Sequence, residues 1–164
     1  MTATRVEIVA ATLRDVSYIA ASMCKEDWQE IACQVPRETK AEQIAALHLT
    51  GEGWVALLDG QPVAAFGTLP ATVSVLTLWA FGTRKRRRAV PEVTRFLRFM
   101  VPLWIARGIT RCEARAMVGH ATAHRWLRGL GGQELPLPAW GSGGEDFTLF
   151  WWTRETWAAL PAAA

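Results

Sequence analysis

With 164 residues, 51% of them hydrophobic and 20% charged, the chain is long enough to bury one core and too apolar to remain disordered. The formal net charge of +3 is concentrated locally, because Arg84, Lys85, Arg86, Arg87 and Arg88 are contiguous. That pattern argues for one anion-binding or solvated patch and against a broadly basic nucleic-acid surface.

Arg5–Ala10 alternates, with Val6, Ile8 and Ala10 on one side, and predicts a half-buried strand. Thr12 and Asp15 form a capping-box-like start for a first helix with Leu13, Val16, Ile19, Ala20 and Met23 at helical spacing. A second helix is expected after Pro36, from Glu38 to about Leu49, stopped by Gly51 to Gly53. Trp54–Leu58, Asp59-Gly60 and Pro62–Thr68 read as a hairpin, since Asp-Gly tolerates the positive φ that tight turns require. Val73–Gly82 is a continuous apolar run rich in β-formers and predicts a central, doubly covered strand.

From Ala89 the period becomes helical, with Val90, Val93, Leu97, Met100, Val101 and Trp104 on one face and Gly108 as the stop. Pro102 is expected to bend or shorten this helix, because it removes a backbone donor. Thr110–Met117 predicts a strand, Ala121–Leu130 a helix ending at Gly131-Gly132, and Phe147–Thr153 a last strand after a Pro- and Gly-rich loop, Leu135–Gly144. The central strand–helix–strand unit implies a parallel pair with a right-handed crossover.

The expected whole is an α/β fold spanning residues 1–164 as one domain. Its sheet is mixed and mostly antiparallel with a central parallel pair, and helices lie on both faces. Of the nine Trp, some are expected to face a ligand or a protein partner and more to lie in the core. Cys24, Cys33 and Cys112 form no C-x-x-C pair and have no His at ligand spacing, so neither a disulfide framework nor a zinc site is expected. A reducing cytoplasm fits. No stretch reaches the ~18–20 apolar residues of a membrane span, and Met1–Ala11 lacks the pattern of a secretory leader.

This order resembles that of the GNAT family of N-acetyltransferases. The segment Ala123-His124-Arg125-Trp126-Leu127-Arg128-Gly129-Leu130-Gly131-Gly132 is similar to the family's late helix pattern N-x-x-A-x-x-F-Y-x-x-x-G-F, matched by Ala123, Trp126 and Gly131. The strand, loop and helix from Leu76 to Arg107 stand where the family binds the pyrophosphate of acetyl-coenzyme A with R/Q-x-x-G-x-G/A. The resemblance therefore implies a cofactor site at Trp79, Ala80, Phe81, Lys85, Arg86, Arg87, Arg88, Ala89 and Val90. The loop departs from the pattern: with Lys85 as its first residue, Arg88 and Val90 occupy the glycine slots. Trp79-Ala80-Phe81-Gly82-Thr83 and Gly144-Glu145-Asp146-Phe147 also look like GNAT-like proteins of tailed phages, some of which resemble internal virion proteins.

Glycines in the family loop let backbone N–H groups approach the pyrophosphate, whereas arginines would bind it through side chains. The family's tyrosine slot holds Leu127, and the single tyrosine, Tyr18, falls on the first helix, where packing is expected. Candidate bases are Glu113 and the cluster Glu26, Asp27 and Glu30. His120 and His124 stand four apart with no third ligand, so no metal is expected, and His120 occupies the helix-capping position. Two functions compete: acetyl-CoA-dependent N-acetylation of an amine, or a non-catalytic part of a phage particle, with other virion proteins as partners. Nucleic-acid binding is disfavoured, because aromatics are not interleaved with Arg84–Arg88.

Overall fold

A computed structural model of the chain describes residues 5–158. In chain order the elements are β1 (Val6–Ala10), α1 (Leu13–Ala21), α2 (Lys25–Ala32), α3 (Ala41–His48), β2 (Gly53–Leu58), β3 (Gln61–Pro70) and β4 (Val75–Gly82). A 3-10 turn (Arg84–Arg88) then leads to α4 (Val90–Ala106), β5 (Arg111–Met117), α5 (Ala121–Gly129), β6 (Gln133–Leu137), β7 (Phe147–Thr153) and α6 (Arg154–Ala158). The seven strands form one sheet in the order β1-β2-β3-β4-β5-β7-β6. β4 and β5 pair parallel and the other neighbours antiparallel.

Local chemistry explains most boundaries. Thr12 caps α1, its hydroxyl accepting from Asp15 N–H. Asp59 and Gly60 both take positive φ, 50° and 80°, which joins β2 to β3 without splaying their twist. β5 alternates between buried and half-buried positions, as its sequence does.

The sheet is covered on both faces. Val55, Ala65 and Phe81 pack against Val16, Ile19 and Ala20 of α1, Ile31 of α2 and Ile44 and Ala45 of α3. On the other face Val93, Leu97, Met100, Val101 and Trp104 of α4, with Leu127 of α5, meet Ala56, Phe66, Leu76, Phe150 and Trp152. Trp104 is fully buried and donates its indole N–H to Glu52 at 3.1 Å, tying α4 to the start of β2. Truncating such a side chain to Ala costs about 3–5 kcal/mol.

The structure departs from the sequence reading or sharpens it at several points, among them α6, which was not expected. α2 was not expected: its inward face presents the carboxylate of Asp27 beside Ile31, so no apolar stripe marks it. The second helix begins at Ala41, not Glu38. α4 runs through Pro102 to Ala106 without being shortened. The expected loop Leu135–Gly144 contains the end of β6, an exposed edge strand that tolerates Pro136 and is specified by pairing with β7. Among the described residues no helix is long and apolar enough to cross a membrane.

Candidate functional site

β4 and β5 are eight and seven residues long yet pair at only three positions, Val75 with Arg111, Leu76 with Cys112 and Thr77 with Glu113. Beyond Thr77 they part, and a cavity of about 260 Å³ opens between them. It reaches both faces of the sheet: Leu78, Ala114 and Leu127 line it from the α4 face, and Trp79, His48 and Ile31 from the other. A second space of about 90 Å³ adjoins it, bounded by Asp27, Arg86, Val90, His120 and Trp126, and Glu30, Phe66 and Ala80 border both.

α2 closes the wide end of this split with two carboxylates one turn apart. Asp27 Oδ2 accepts from Gly82 N–H at the end of β4, 2.8 Å, while Cys24 N–H bonds Gly82 C=O. Glu30 Oε2 accepts from Met117 N–H at the end of β5, 2.8 Å. The last backbone N–H of each diverging strand is thereby satisfied by one helix, while the Met117 carbonyl is taken by His120 N–H and His124. Since strand residues alternate direction, Ala80, two before Gly82, turns its own N–H and C=O toward the split beyond the last β4–β5 pair.

The basic segment is a 3-10 turn capped by Thr83, whose hydroxyl accepts from Lys85 N–H. Its five cations are not equivalent. Arg86 turns inward, with Nε 3.2 Å from Asp27 Oδ2 and the side chain 14% exposed. Gly82 permits this, since a Cβ there would stand 2.7 Å from Arg86 Cβ and 2.7 Å from the Val63 carbonyl. Arg84, Lys85, Arg87 and Arg88 are exposed and have no acidic partner among the described residues. Ala89 is buried at the N-cap position of α4, whose first turn includes Pro91, a residue without a backbone N–H.

The remaining residues of the expected cofactor set divide by face. Trp79 lines the larger cavity and stacks on Phe81 and against His48. The Phe81 side chain is in the core under α1 and α3, while Val90 borders the smaller space. Trp79 and Arg115, both in the lining of the larger cavity, each carry a buried N–H, Nε1 and Nε, with no acceptor among the described residues. Leaving such a donor unmade costs about 1–3 kcal/mol.

Among the candidate acids and bases, Glu30 stands apart. Burial pushes its carboxyl up to about 7, against the lowering effects of the Met117 N–H bond and the nearby His120. Glu113 is held between Arg111, 2.7 Å, and Arg115, 3.3 Å. Glu26 is exposed, and its own backbone N–H bond holds it below the usual carboxylate range. Tyr18 is half exposed on α1 and Leu127 is buried in the core.

His120 Nε2 meets Asp27 Oδ1 at 2.7 Å, and its Nδ1 accepts from Ala123 N–H, capping α5. Burial draws the His120 pKa down, but the Asp27 bond and the charges of Glu30 and Asp27 outweigh it and raise the value. His124 Nε2 is engaged by the Met117 carbonyl at 3.0 Å. Both imidazoles thus serve the packing of α5, and no group of three His, Cys, Asp or Glu suited to a metal occurs among the described residues.

Sequence reasoning grouped Asp27 and Glu30 with Glu26 but left His120 apart, as a helix cap. The i, i+3 spacing of the two carboxylates was the available signal, and it acquires meaning only once α2 is recognised.

No family model and no curated protein matches the sequence. Solved structures do. A chain from Chromobacterium violaceum assigned to the GNAT family of acetyltransferases superposes with a TM-score of 0.74 at 16% identity, covering 94% of this chain and 90% of that one. AAC(6')-Ib, solved in complex with ribostamycin and coenzyme A, gives 0.69 at 13% identity over 97% of this chain and 99% of its own. The protein yncA of Salmonella typhimurium, solved with its cofactor acetyl-CoA, gives 0.65 at 13% identity over 97% and 99%. The chain therefore has the GNAT fold.

Proposed function

We propose that the chain is an acyl-CoA-dependent N-acyltransferase that takes acetyl-coenzyme A into the β4–β5 split and passes its acyl group to an amine. The observation that carries this reading is Glu30, a carboxyl poised near neutrality at the border of a cavity that crosses the sheet.

The residues present fit the cofactor unevenly. Ala80 offers backbone groups to the split, as an extended pantetheine arm requires. The pyrophosphate would be held by Arg84, Lys85, Arg87 and Arg88 beside the first turn of α4, while Arg86 braces the turn against Asp27. Ala89 and Val90 set that helix end, and Trp79 and Phe81 contribute mainly the strand that carries Ala80. The grip is by side chains where the family pattern uses glycine backbone.

Bound acetyl-CoA supplies the acyl thioester, whose C–S bond breaks as the amine's C–N bond forms. Glu30, ionised above about pH 7, removes the proton that the amine loses. Ala80 N–H is the donor available where negative charge develops on the carbonyl oxygen. With Leu127 in the tyrosine slot, the thiolate takes its proton from solvent.

Calorimetry with acetyl-CoA, followed by coenzyme A release over a panel of amines, tests this. Binding and turnover are expected, with E30Q lowering kcat by about 10²–10⁴-fold. No heat of binding at millimolar acetyl-CoA would overturn it. The filled glycine slots and Leu127 favour the alternative of a non-catalytic virion component. Absence from purified particles, together with acetyl transfer, would remove that alternative.

A further inference from the structure

On the face of the sheet covered by α2 and α3, the cavity is bordered by Val35, Leu47, His48, Trp79 and Arg115, and Glu30 is also in its lining. The charges here are uneven. Glu113 is shared by Arg111 and Arg115, leaving one positive charge over, and Asp27 is occupied by Arg86 and His120. Glu30 is the one carboxylate of the lining. A polycationic acceptor would meet a cation where it needs a second anion.

Arg115 is held but not satisfied. One terminal nitrogen reaches Glu113, the guanidinium lies 4.8 Å from the Trp140 ring centre, and Nε has no acceptor among the described residues. The Trp79 indole N–H also lacks one. Glu30 is anchored at the backbone N–H of Met117, and the Cα atoms of Met117 and Arg115, two residues apart on β5, are separated by about 7 Å. A base for an amine and a cation for an anion thus border one small, largely apolar cavity.

Resting on the acyltransferase reading, we infer that the acceptor is a small amino acid. Its amine meets Glu30, its carboxylate is taken by Arg115 and Trp79, and its apolar side chain lies against Val35 and Leu47.

Matched pairs differing only in the carboxylate decide this: leucine against 3-methylbutylamine, and phenylalanine against 2-phenylethylamine, assayed by coenzyme A release with the full chain. The amino acids are expected to exceed their amines in kcat/KM by about 10- to 100-fold, the worth of hydrogen bonds to a charged group. R115Q should collapse that ratio by raising the amino acid's KM, and W79F, which keeps a ring but loses the N–H, should reduce it less. Thermal melting by circular dichroism confirms that each variant is folded. Equal rates within the pairs, a ratio untouched by R115Q, or acetylation of polyamines and peptides but of neither pair would overturn the inference. Failure of acetyl-CoA itself to bind would instead defeat the acyltransferase reading on which it rests.

Discussion

At Glu30, burial works against the ionised form, while a single backbone N–H, that of Met117, works for it. Burial wins, and the carboxyl releases its proton only near pH 7 when folded, against 4.5 as its ordinary value. Between those limits the folded chain holds a proton that the unfolded chain has lost, so the contribution of Glu30 to stability declines as pH rises from about 4.5 to about 7. E30Q keeps an acceptor for Met117 and cannot ionise. It is expected to melt above the parent at pH 8, by about 1–3 kcal/mol of stability, and to lose that advantage by pH 5. Paired melting curves at the two pH values check this. Glu30 was legible in the sequence only as one of several candidate bases. Its distinction from the exposed Glu26 is a matter of burial, which residue identity does not encode.

Among the elements, α2 and the basic turn depend on each other. Asp27 receives Gly82 N–H, the Arg86 guanidinium and His120, so it joins β4, the turn and the cap of α5. Removing one partner of a buried ion pair leaves the other uncompensated, and D27N is expected to cost about 3–5 kcal/mol in denaturant unfolding. The other cations behave differently, because they face solvent. R87Q/R88Q should leave the unfolding free energy within about 0.5 kcal/mol of the parent and weaken acetyl-CoA binding about tenfold, with a shallower salt dependence in calorimetry. R86Q should show the reverse order of effects, with stability lost first. At the sequence level the run Arg84–Arg88 reads as an anion-binding or solvated patch. Which arginine is a strut and which are free was hidden, since the choice depends on Asp27, more than fifty residues earlier in the chain.

For the molecule as a whole, the sequence by itself determined the repeating elements: the capped α1, the Asp59-Gly60 hairpin, the apolar β4, the stripe of α4 and the alternation of β5. Each is governed by contacts within a few residues or by a period of 2 or 3.6, so it is written locally. The central parallel pair followed from that order, because a strand, a long helix and a strand return in the same direction. α2 and β6 were not legible for the same reason in reverse: one turns a carboxylate inward, and the other is an exposed edge held by its partner's backbone. Tertiary structure alone decided that β4 and β5 separate after three pairs, that α2 fills their wide end, and that Asp27, Arg86, His120 and Glu30 converge there. These outcomes arise from backbone donors on two diverging strands that must find acceptors, and the acceptors come from a helix remote in sequence.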